Sequence, residues 1–274
     1  METKITFIGA GNMASAIIGG LIQGGVTPDS ITAAAPREDA LAAIGERLGI
    51  HTSSDNAAAA AGADVLVLAV KPQIMREVCQ KLADRVQQTR PLIISIAAGL
   101  EAASIDAWLG GGNALVRCMP NTPSLVGQGA SGLYANARVS DAQRDTATRL
   151  MQAVGIVEWV ADEALLEAVT AVSGSAPAYF FLMFEAMEEA GVAQGLPAET
   201  ARRLAIQTAL GAATMASQSE HDPATLKRNV MSKGGATERA IAHMEDANLR
   251  QTIADAMQAC AERAHKMAAE LTRD

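Results

Sequence analysis

The sequence is poor in aromatic residues and in cysteines. Its 274 residues include four Phe, two Tyr, two Trp and three Cys. So few aromatic rings leave the packing of a core to aliphatic side chains. Cys79, Cys118 and Cys260 lie far apart, in an odd number and without paired spacing. This pattern is typical of reduced thiols in a cytoplasmic protein, where they act as small buried hydrophobic groups.

Positive charge and long apolar runs are also scarce. The formal net charge is -8 and the pI is about 5.1, and no long basic run occurs. This balance argues against nucleic acid or an anionic membrane as the main partner. Apolar runs fall short of the ~20 residues that span a bilayer, and the opening METKITFIGAG runs directly into a strand-like segment. We therefore expect a soluble cytoplasmic protein without a signal peptide or a membrane partner.

Clusters of metal-binding or nucleophilic residues are missing from the sequence as well. No Cys, His and Asp residues have the spacing of metal ligands, and no Ser, His and Asp set suggests nucleophilic catalysis. The four His residues do not fall at the strand ends where a ligand is expected. The sequence therefore predicts no metal.

Short β-branched runs alternate with helical segments over the first part of the chain. Continuous apolar runs suit strands that are covered by helices on both faces, and this alternation predicts a doubly wound sheet with right-handed crossovers. The predicted strands are Ile5–Ile8, Ile31–Ala35, Asp64–Val70, Pro91–Ile96, Ala114–Met119, Gly129–Ala135 and Ile156–Val160.

The alternation stops after about residue 161, where long Ala-, Leu-, Met- and Glu-rich stretches begin. We predict an α/β Rossmann-type domain over residues 1–161 and an all-helical domain over residues 162–274. A helical domain of this length needs a partner chain to cover its apolar faces, so we expect a homo-oligomer.

A glycine-rich turn follows the first predicted strand. Gly9, Ala10, Gly11, Asn12, Met13 and Ala14 form the pattern G-x-G-x-x-A at the start of the first helix. In a Rossmann domain Gly9 permits the tight turn, Gly11 lets the backbone approach a pyrophosphate, and Ala14 allows close packing of helix on strand. The free N–H groups of the helix N-terminus then face the phosphates. The alternative is a tight turn that binds no ligand.

The second predicted strand ends with Ala35-Pro36-Arg37, where NAD-binding domains usually have an acidic residue. A guanidinium suits a 2′-phosphate, so NADPH is favoured over NADH. The alternative is that Arg37 is a solvated residue paired with Glu38 or Asp39. Asn56, before the next helix, is also expected to reach the adenosine end.

Ligands of open α/β sheets bind at the carboxyl ends of the strands. Two small-residue segments and a proline-rich turn end three of the predicted strands, and we expect them to line the cofactor channel. Asn121 suits a nicotinamide carboxamide because its amide both donates and accepts. Lys71 can equally be a surface cation, and the proline turn a rigid turn without a ligand. The residues are Ala69, Val70, Lys71 and Pro72, then Ala97, Ala98 and Gly99, then Pro120 and Asn121.

The segments FIGAGNMA, AVKP, SIAAG, RCMPNTP, AVTAVSGSAPAYFF and LKRNVMSKGGAT occur in the order and spacing seen in pyrroline-5-carboxylate reductases. The sequence resembles this family from Ile5 to about Met267. The resemblance implies reduction of the cyclic imine pyrroline-5-carboxylate to proline with NAD(P)H, the last step of proline biosynthesis. It also implies a helical dimerisation domain and dimers that often build a decamer.

The resemblance further implies that the loop Ser232–Thr237 binds the substrate carboxylate. Gly234 and Gly235 expose backbone N–H groups, and Ser232 with the amides of Ala236 and Thr237 would grip the anion. The Thr237 hydroxyl would reach the ring nitrogen, as the catalytic contact. Lys233 departs from the family, which usually has Pro there. The alternative is an ordinary turn between helices. Thr170 and Ser173 are further candidates for substrate contact or for close packing.

Two other functions fit parts of the sequence. A β-hydroxyacid dehydrogenase would need a catalytic Lys on the helix from about Pro177 to Gly191, and none occurs there. A non-catalytic NADP-binding regulator would keep the glycine turn but lose the loop Ser232–Thr237, which is intact apart from Lys233.

Overall fold

An eight-stranded sheet occupies the first part of the chain in the computed structural model, which describes residues 3–272. The strands are β1 (Ile5–Ile8), β2 (Ile31–Ala34), β3 (His51–Ser53), β4 (Val65–Leu68), β5 (Leu92–Ser95), β6 (Leu115–Met119), β7 (Gly129–Ala135) and β8 (Gly155–Trp159). Their order in the sheet is β3-β2-β1-β4-β5-β6-β7-β8, and only the β6–β7 pair is antiparallel. The Rossmann-type prediction is confirmed, because the first six strands have the order that this fold requires.

Helices alternate with these strands. They are α1 (Asn12–Gln23), α2 (Glu38–Leu48), α3 (Asn56–Ala59), α4 (Pro72–Thr89), α5 (Ala102–Trp108) and α6 (Asp141–Gln152). Side chains of β4 alternate between two buried clusters: Val65 and Val67 belong to one, and Leu66 and Leu68 belong to the other. Successive strand residues point to opposite faces, so both faces of the sheet are covered. This explains why the central strands are continuously apolar.

Strand β3 was not predicted. Its three residues, His51, Thr52 and Ser53, are polar and largely exposed at the edge of the sheet, beside β2. Neither an apolar run nor an alternating pattern marks it. Short, exposed edge strands carry little sequence signal because little of them is buried.

The remaining helices are α7 (Leu165–Val169), α8 (Ala176–Ala193), α9 (Ala198–Gln218), α10 (Pro223–Asn229), α11 (Ala236–Asp246) and α12 (Leu249–Thr272). A π-helical turn, Thr170–Gly174, joins α7 to α8 without a break in helical backbone. The resulting helical segment 165–193 is 29 residues long, and its most apolar stretch has a mean hydropathy of 1.3 with 17% of it buried. By length and composition this segment could cross a membrane. One such helix is weak evidence for a membrane span, because a core helix of a soluble protein passes the same test, so the expectation of a protein without a membrane partner stays a prediction.

The described chain divides into two compact units: residues 3–175 with 259–272, and residues 176–258. The predicted boundary at residue 161 marks the end of the sheet, whereas the first unit continues to residue 175. Val169 packs so closely on Gly132 of β7 that an added Cβ there would lie 2.5 Å from Val169 Cγ1. The end of α12 joins the same unit through His265, whose Nδ1 lies 3.0 Å from Glu167 Oε1. The functional division at residues 161 and 162 stays a prediction.

Candidate active site

The turn after β1 requires glycine for both conformation and space. Gly9 has a φ of +112°, and a Cβ at this position would lie 2.5 Å from the carbonyl oxygen of Ala69. Its N–H donates to Ala34 O at 2.7 Å, and Ala69 N–H donates to Ile8 O at 2.8 Å. These contacts bring the ends of β1, β2 and β4 together. The predicted cofactor segments that follow these strands therefore meet at one edge of the sheet.

The start of α1 faces open space. Gly11 is its N-cap with a φ of -76°, no side chain caps the helix, and its first turn has no acidic residue. A Cβ on Gly11 would meet no atom of the described residues within 4 Å, whereas Ala14 is buried against the sheet. Asn12 and Met13 complete the first turn. The N–H groups of this turn are thus available to an anion such as a pyrophosphate.

Arg37 lies where a 2′-phosphate reader was predicted, but it has a partner within the protein. It is the N-cap residue of α2 and is largely exposed. Its Nε donates to Asp39 Oδ1 at 3.1 Å, and this hydrogen bond raises the pKa of the guanidinium. This pairing is the alternative that the sequence left open. The 2′-phosphate contact stays a prediction, and Asp39 would compete with the phosphate for Arg37.

Asn56 carries an unpaired acceptor at the start of α3. Its Oδ1 is buried and has no hydrogen-bond partner in the described structure. The neighbouring Asp55 caps α3 instead, accepting from Ala57 N at 2.8 Å and from Ala58 N at 3.1 Å. A buried acceptor without a donor is costly. Asn56 therefore fits a ligand hydroxyl or amine at the adenosine end of a dinucleotide.

The strand ends after β4 and β5 also face the same edge. Lys71 is exposed, forms no ion pair within residues 3–272, and is the N-cap residue of α4, which begins at Pro72. After β5, Ala97 is buried, Ala98 is exposed and Gly99 has a φ of +74°. Both segments place small residues or an exposed cation at this edge of the sheet, and their contacts with a dinucleotide stay a prediction.

A cavity of about 640 Å³ lies beside the segment Ala97–Gly99 and is lined only by residues of the first unit. Its wall includes Arg117, Cys118 and Met119 of β6, Glu163, and the end of α12 from Cys260 to Ala268. Burial raises the pKa of the Cys118 thiol to about 12, so this group stays protonated near neutral pH and is a poor nucleophile. The cavity has the size of a small-molecule site. Thr170 lines it too, whereas Ser173 does not.

The side chain of Asn121 is used inside the protein. Its Nδ2 donates to Ser173 O at 3.1 Å, and its Oδ1 accepts from Ala130 N at 2.9 Å. Both Asn121 and Pro120 are buried, and neither lines the cavity. The predicted bond to a nicotinamide carboxamide is therefore disfavoured for this side chain, which instead holds β7 and the π-helical turn in place. A cofactor contact by the backbone of this turn stays a prediction.

Arg117 and Glu163 are cavity residues that the sequence did not single out. Arg117 Nη1 lies 2.8 Å from Glu163 Oε1, and the side chains are only 13% and 24% exposed. Arg117 was visible as part of RCMPNTP, directly before the predicted cofactor turn. Glu163 gave no comparable signal, because Asp162 and Glu167 beside it are equally plausible surface acids.

In the second unit, two glycines shape the loop Ser232–Thr237. Gly234 has a φ of +72°, in the region that disfavours other residues. Gly235 is the N-cap residue of α11 with a φ of -82°, and a Cβ there would lie 2.4 Å from Ser232 Oγ. Gly234 is needed for its backbone conformation, and Gly235 is needed because a side chain there would collide with Ser232. Together they bring the Ser232 hydroxyl close to the start of α11.

The loop already binds one carboxylate of the chain. Gly234 N–H donates to Glu238 Oε2 at 2.5 Å, and Gly235 N–H donates to Ser232 O at 2.9 Å. In the described part of the chain, the N–H groups of Ala236 and Thr237 have no partner. Two amides at the start of α11 are thus free for an anion. Gly234 itself can bind a ligand only if Glu238 moves away.

Among residues 3–272, no three His, Cys, Asp or Glu side chains are grouped in a way that could hold a metal ion.

Two protein families match the chain. Residues 163–267 match the family described as "Pyrroline-5-carboxylate reductase dimerisation". Residues 4–99 match the family described as "NADP oxidoreductase coenzyme F420-dependent". The second match covers β1 to β5 and includes all predicted cofactor residues except Pro120 and Asn121.

Similar proteins cover nearly the whole length. Pyrroline-5-carboxylate reductase from Pseudomonas aeruginosa is 52% identical over 98% of this chain and 98% of that protein. The enzyme of the same name from Escherichia coli is 37% identical over 97% and 99%. Among solved structures, a pyrroline-5-carboxylate reductase from Coxiella burnetii has a TM-score of 0.95 and 45% identity over 97% and 99% of the two chains. A pyrroline carboxylate reductase from Plasmodium falciparum with NADP bound has a TM-score of 0.85 and 29% identity over 97% and 98%.

Proposed function

Because this chain belongs to the pyrroline-5-carboxylate reductase family, we propose that it reduces the cyclic imine pyrroline-5-carboxylate to proline with NAD(P)H. The observation that best supports this substrate is the loop Ser232–Thr237. Among the described residues, two N–H groups at the start of α11 are unpaired, and the Gly234 N–H already donates to the carboxylate of Glu238. A small carboxylate ligand matches this chemistry.

The first unit would hold the dinucleotide. In this proposal the amides from Gly9 to Ala14 bind the pyrophosphate, Asn56 binds the adenosine end, and the segments Ala69–Pro72 and Ala97–Gly99 line the remainder. NADPH is the preferred cofactor if Arg37 releases Asp39 and binds the 2′-phosphate of NADPH instead. When bound, the cofactor supplies a hydride from nicotinamide C4. The protein's task is to orient this ring and keep water from it.

The second unit would hold the substrate. The Ser232 hydroxyl and the N–H groups of Ala236 and Thr237 bind the carboxylate, while Gly234 and Gly235 allow the backbone to turn around it. The Thr237 hydroxyl forms a hydrogen bond with the ring nitrogen, either as donor to the nitrogen or as acceptor from its N–H. A protonated imine is already electrophilic, so fixing its orientation contributes more than a strong acid would.

Lys233 stands beside these groups, where the family usually has Pro. Its side chain is exposed and has no ion-pair partner in the described part of the chain. We propose that it steers the anionic substrate towards the loop, an effect that salt should weaken.

The chain forms a homo-oligomer, as its dimerisation region requires. We propose a dimer as the basic assembly and a decamer as its higher form, in the cytoplasm and without nucleic acid or membrane partners. Exposed apolar side chains on α8 support the dimer: Phe180, Phe181 and Leu182 are each more than 60% exposed in one chain. Light scattering after size-exclusion chromatography gives the mass of the assembly.

Imine reduction is tested by following NADPH oxidation with pyrroline-5-carboxylate, in the wild type and in Thr237→Ala. Loss of one hydrogen bond to a charged group should lower kcat/KM by about 10- to 100-fold, with the Kd of NADPH unchanged. Thr146→Ala, on an exposed face of α6, is the matched control and should behave as wild type. A wild-type protein that binds NADPH tightly but reduces no imine would instead support the regulator function.

A further inference from the structure

One carboxylate oxygen joins three parts of the first unit. Glu163 Oε1 accepts from the backbone N–H of Ala102 at 2.6 Å and from Arg117 Nη1 at 2.8 Å. Ala102 is the first residue of α5, which follows the segment Ala97–Gly99 closely. Arg117 lies on β6, two residues before Met119 and the turn at Pro120. The two contacts are 61 and 46 residues away from Glu163 in sequence.

The two hydrogen bonds of Glu163 should be stronger than those of an exposed ion pair. Both bonds are charge-assisted, and the Arg117 and Glu163 side chains are 13% and 24% exposed, so water screens the pair less than it screens a surface pair. Glu101, the N-cap residue of α5, makes no side-chain bond to the helix. Glu163 therefore provides the cap that the local sequence does not.

The joined parts surround the cavity next to the predicted cofactor segment Ala97–Gly99, whose small residues leave room for a nicotinamide riboside. Arg117, Glu163 and the segment Ala97–Gly99 all line it. A shift of α5 relative to β6 would change the width of this cavity. Hydride transfer depends steeply on the distance between donor and acceptor, and misplacement by about 1 Å can cost a factor of about 100 in rate.

We propose that Glu163 is a positioning residue for the nicotinamide ring. It fixes the start of α5 relative to β6 through Ala102 and Arg117, and it takes no part in the chemical step. The inference rests on the proposed function for its kinetic consequence. The substrate loop Ser232–Thr237 has no role in it.

The test compares Glu163→Ala and Glu163→Gln with the wild type. Glu163→Ala removes both bonds and leaves the guanidinium of Arg117 unpaired, so kcat should fall by about 10- to 100-fold. The KM for the imine should change by less than about threefold, because the carboxylate anchor is unaltered. Glu163→Gln keeps an acceptor and the side-chain volume but loses the charge, and its kcat should lie between the two. Glu77→Gln removes an exposed pair with Lys81 on α4 and serves as the control.

Two further readouts separate positioning from general damage. With NADPH deuterated at C4, the isotope effect on kcat should rise in Glu163→Ala, because hydride transfer becomes slower relative to product release. The fluorescence of bound NADPH, which reports the surroundings of the nicotinamide, should shift in the same variant without any imine present. A double-mutant cycle with Arg117→Ala should give effects that do not add, since the two side chains contact each other.

The outcomes are decisive in either direction. Wild-type values of kcat, isotope effect and NADPH fluorescence in Glu163→Ala would overturn the proposal. So would a kcat loss that merely follows the fraction of unfolded protein. If Glu163→Ala does not fold, the same readouts on Glu163→Gln decide. An altered fluorescence in the variant, together with a wild type inactive on the imine, would refute the proposed function and leave the positioning role standing.

Discussion

Gly9 and Gly11 stand two residues apart in one turn, yet the structure gives them different reasons to be glycine. At Gly9 a methyl group would collide with Ala69 O at 2.5 Å in a backbone conformation of positive φ. At Gly11 the φ is -76°, which any residue adopts, and a methyl group would meet nothing within 4 Å. Apart from the mild preference of N-cap positions for glycine over alanine, none of the described residues requires the absence of a side chain there, so a bound ligand is the expected reason. Substituting each with Ala therefore tests the dinucleotide site directly.

For Gly11→Ala the expected change in stability is close to zero. Replacing Gly by Ala at an N-cap destabilises the folded protein by about 0.5–1 kcal/mol. The lower conformational entropy of the unfolded chain stabilises it by about 0.4–1 kcal/mol. The affinity for NADPH should nevertheless fall by about 10- to 100-fold, because the added methyl group occupies the space of one or two phosphate–amide bonds. For Gly9→Ala, strain and overlap should cost roughly 2–5 kcal/mol.

Thermal unfolding and a binding titration with NADPH measure both quantities. Gly9→Ala should lower the Tm by about 5–20 °C, whereas Gly11→Ala should retain the wild-type Tm and lose affinity. A Gly11→Ala protein that binds NADPH as tightly as the wild type would refute the placement of the pyrophosphate. If Gly11→Ala were instead strongly destabilised, the open space at the start of α1 would be wrong.

Three other predictions concern the Arg37–Asp39 pair and the thiols. Arg37→Ala should reduce the preference for NADPH over NADH by about 5- to 50-fold in kcat/KM, and Asp39→Asn should increase it by freeing the guanidinium; equal effects of Arg37→Ala on both cofactors would remove Arg37 from 2′-phosphate binding. Ellman's reagent should titrate Cys260 in the native protein but reach Cys79 and Cys118 only after unfolding, because burial raises the pKa of both thiols to about 12. Since the unfolded thiols ionise near pH 9, the free energy of unfolding should fall as the pH rises from about 9 to 12, and a flat pH profile there would contradict this.

The predictions that held were those that depend on local pattern. The central strands are continuously apolar because both of their faces are buried, and β4 shows this directly by sending alternate side chains into two cores. The turn at Gly9 could be identified because its geometry depends on neighbours in sequence and on one close strand. A glycine pattern of six residues directly after a strand is therefore enough to predict such a turn.

Other features depend on contacts between distant residues. Asn121 has the chemistry of a ligand-binding amide, but the fold brings Ala130 and Ser173 to its two polar groups. Glu163 is one of several acids after β8, and only the folded chain places it against Ala102 and Arg117. The same holds for Gly234, whose N–H donates to the carboxylate of Glu238. The spacing of these residues in the sequence does not indicate that they form these hydrogen bonds.

The apolar surface of the second unit has a consequence for how the protein assembles. Of its described residues, only Ala176, Ala201 and Ala205 are buried within a single chain, so this unit has almost no interior of its own. Its folding must be completed by association, and renaturation should be a second-order process whose rate rises with protomer concentration. Dilution alone should then release an unstable, aggregation-prone chain, and the free energy of unfolding is meaningful only when the protein concentration is stated.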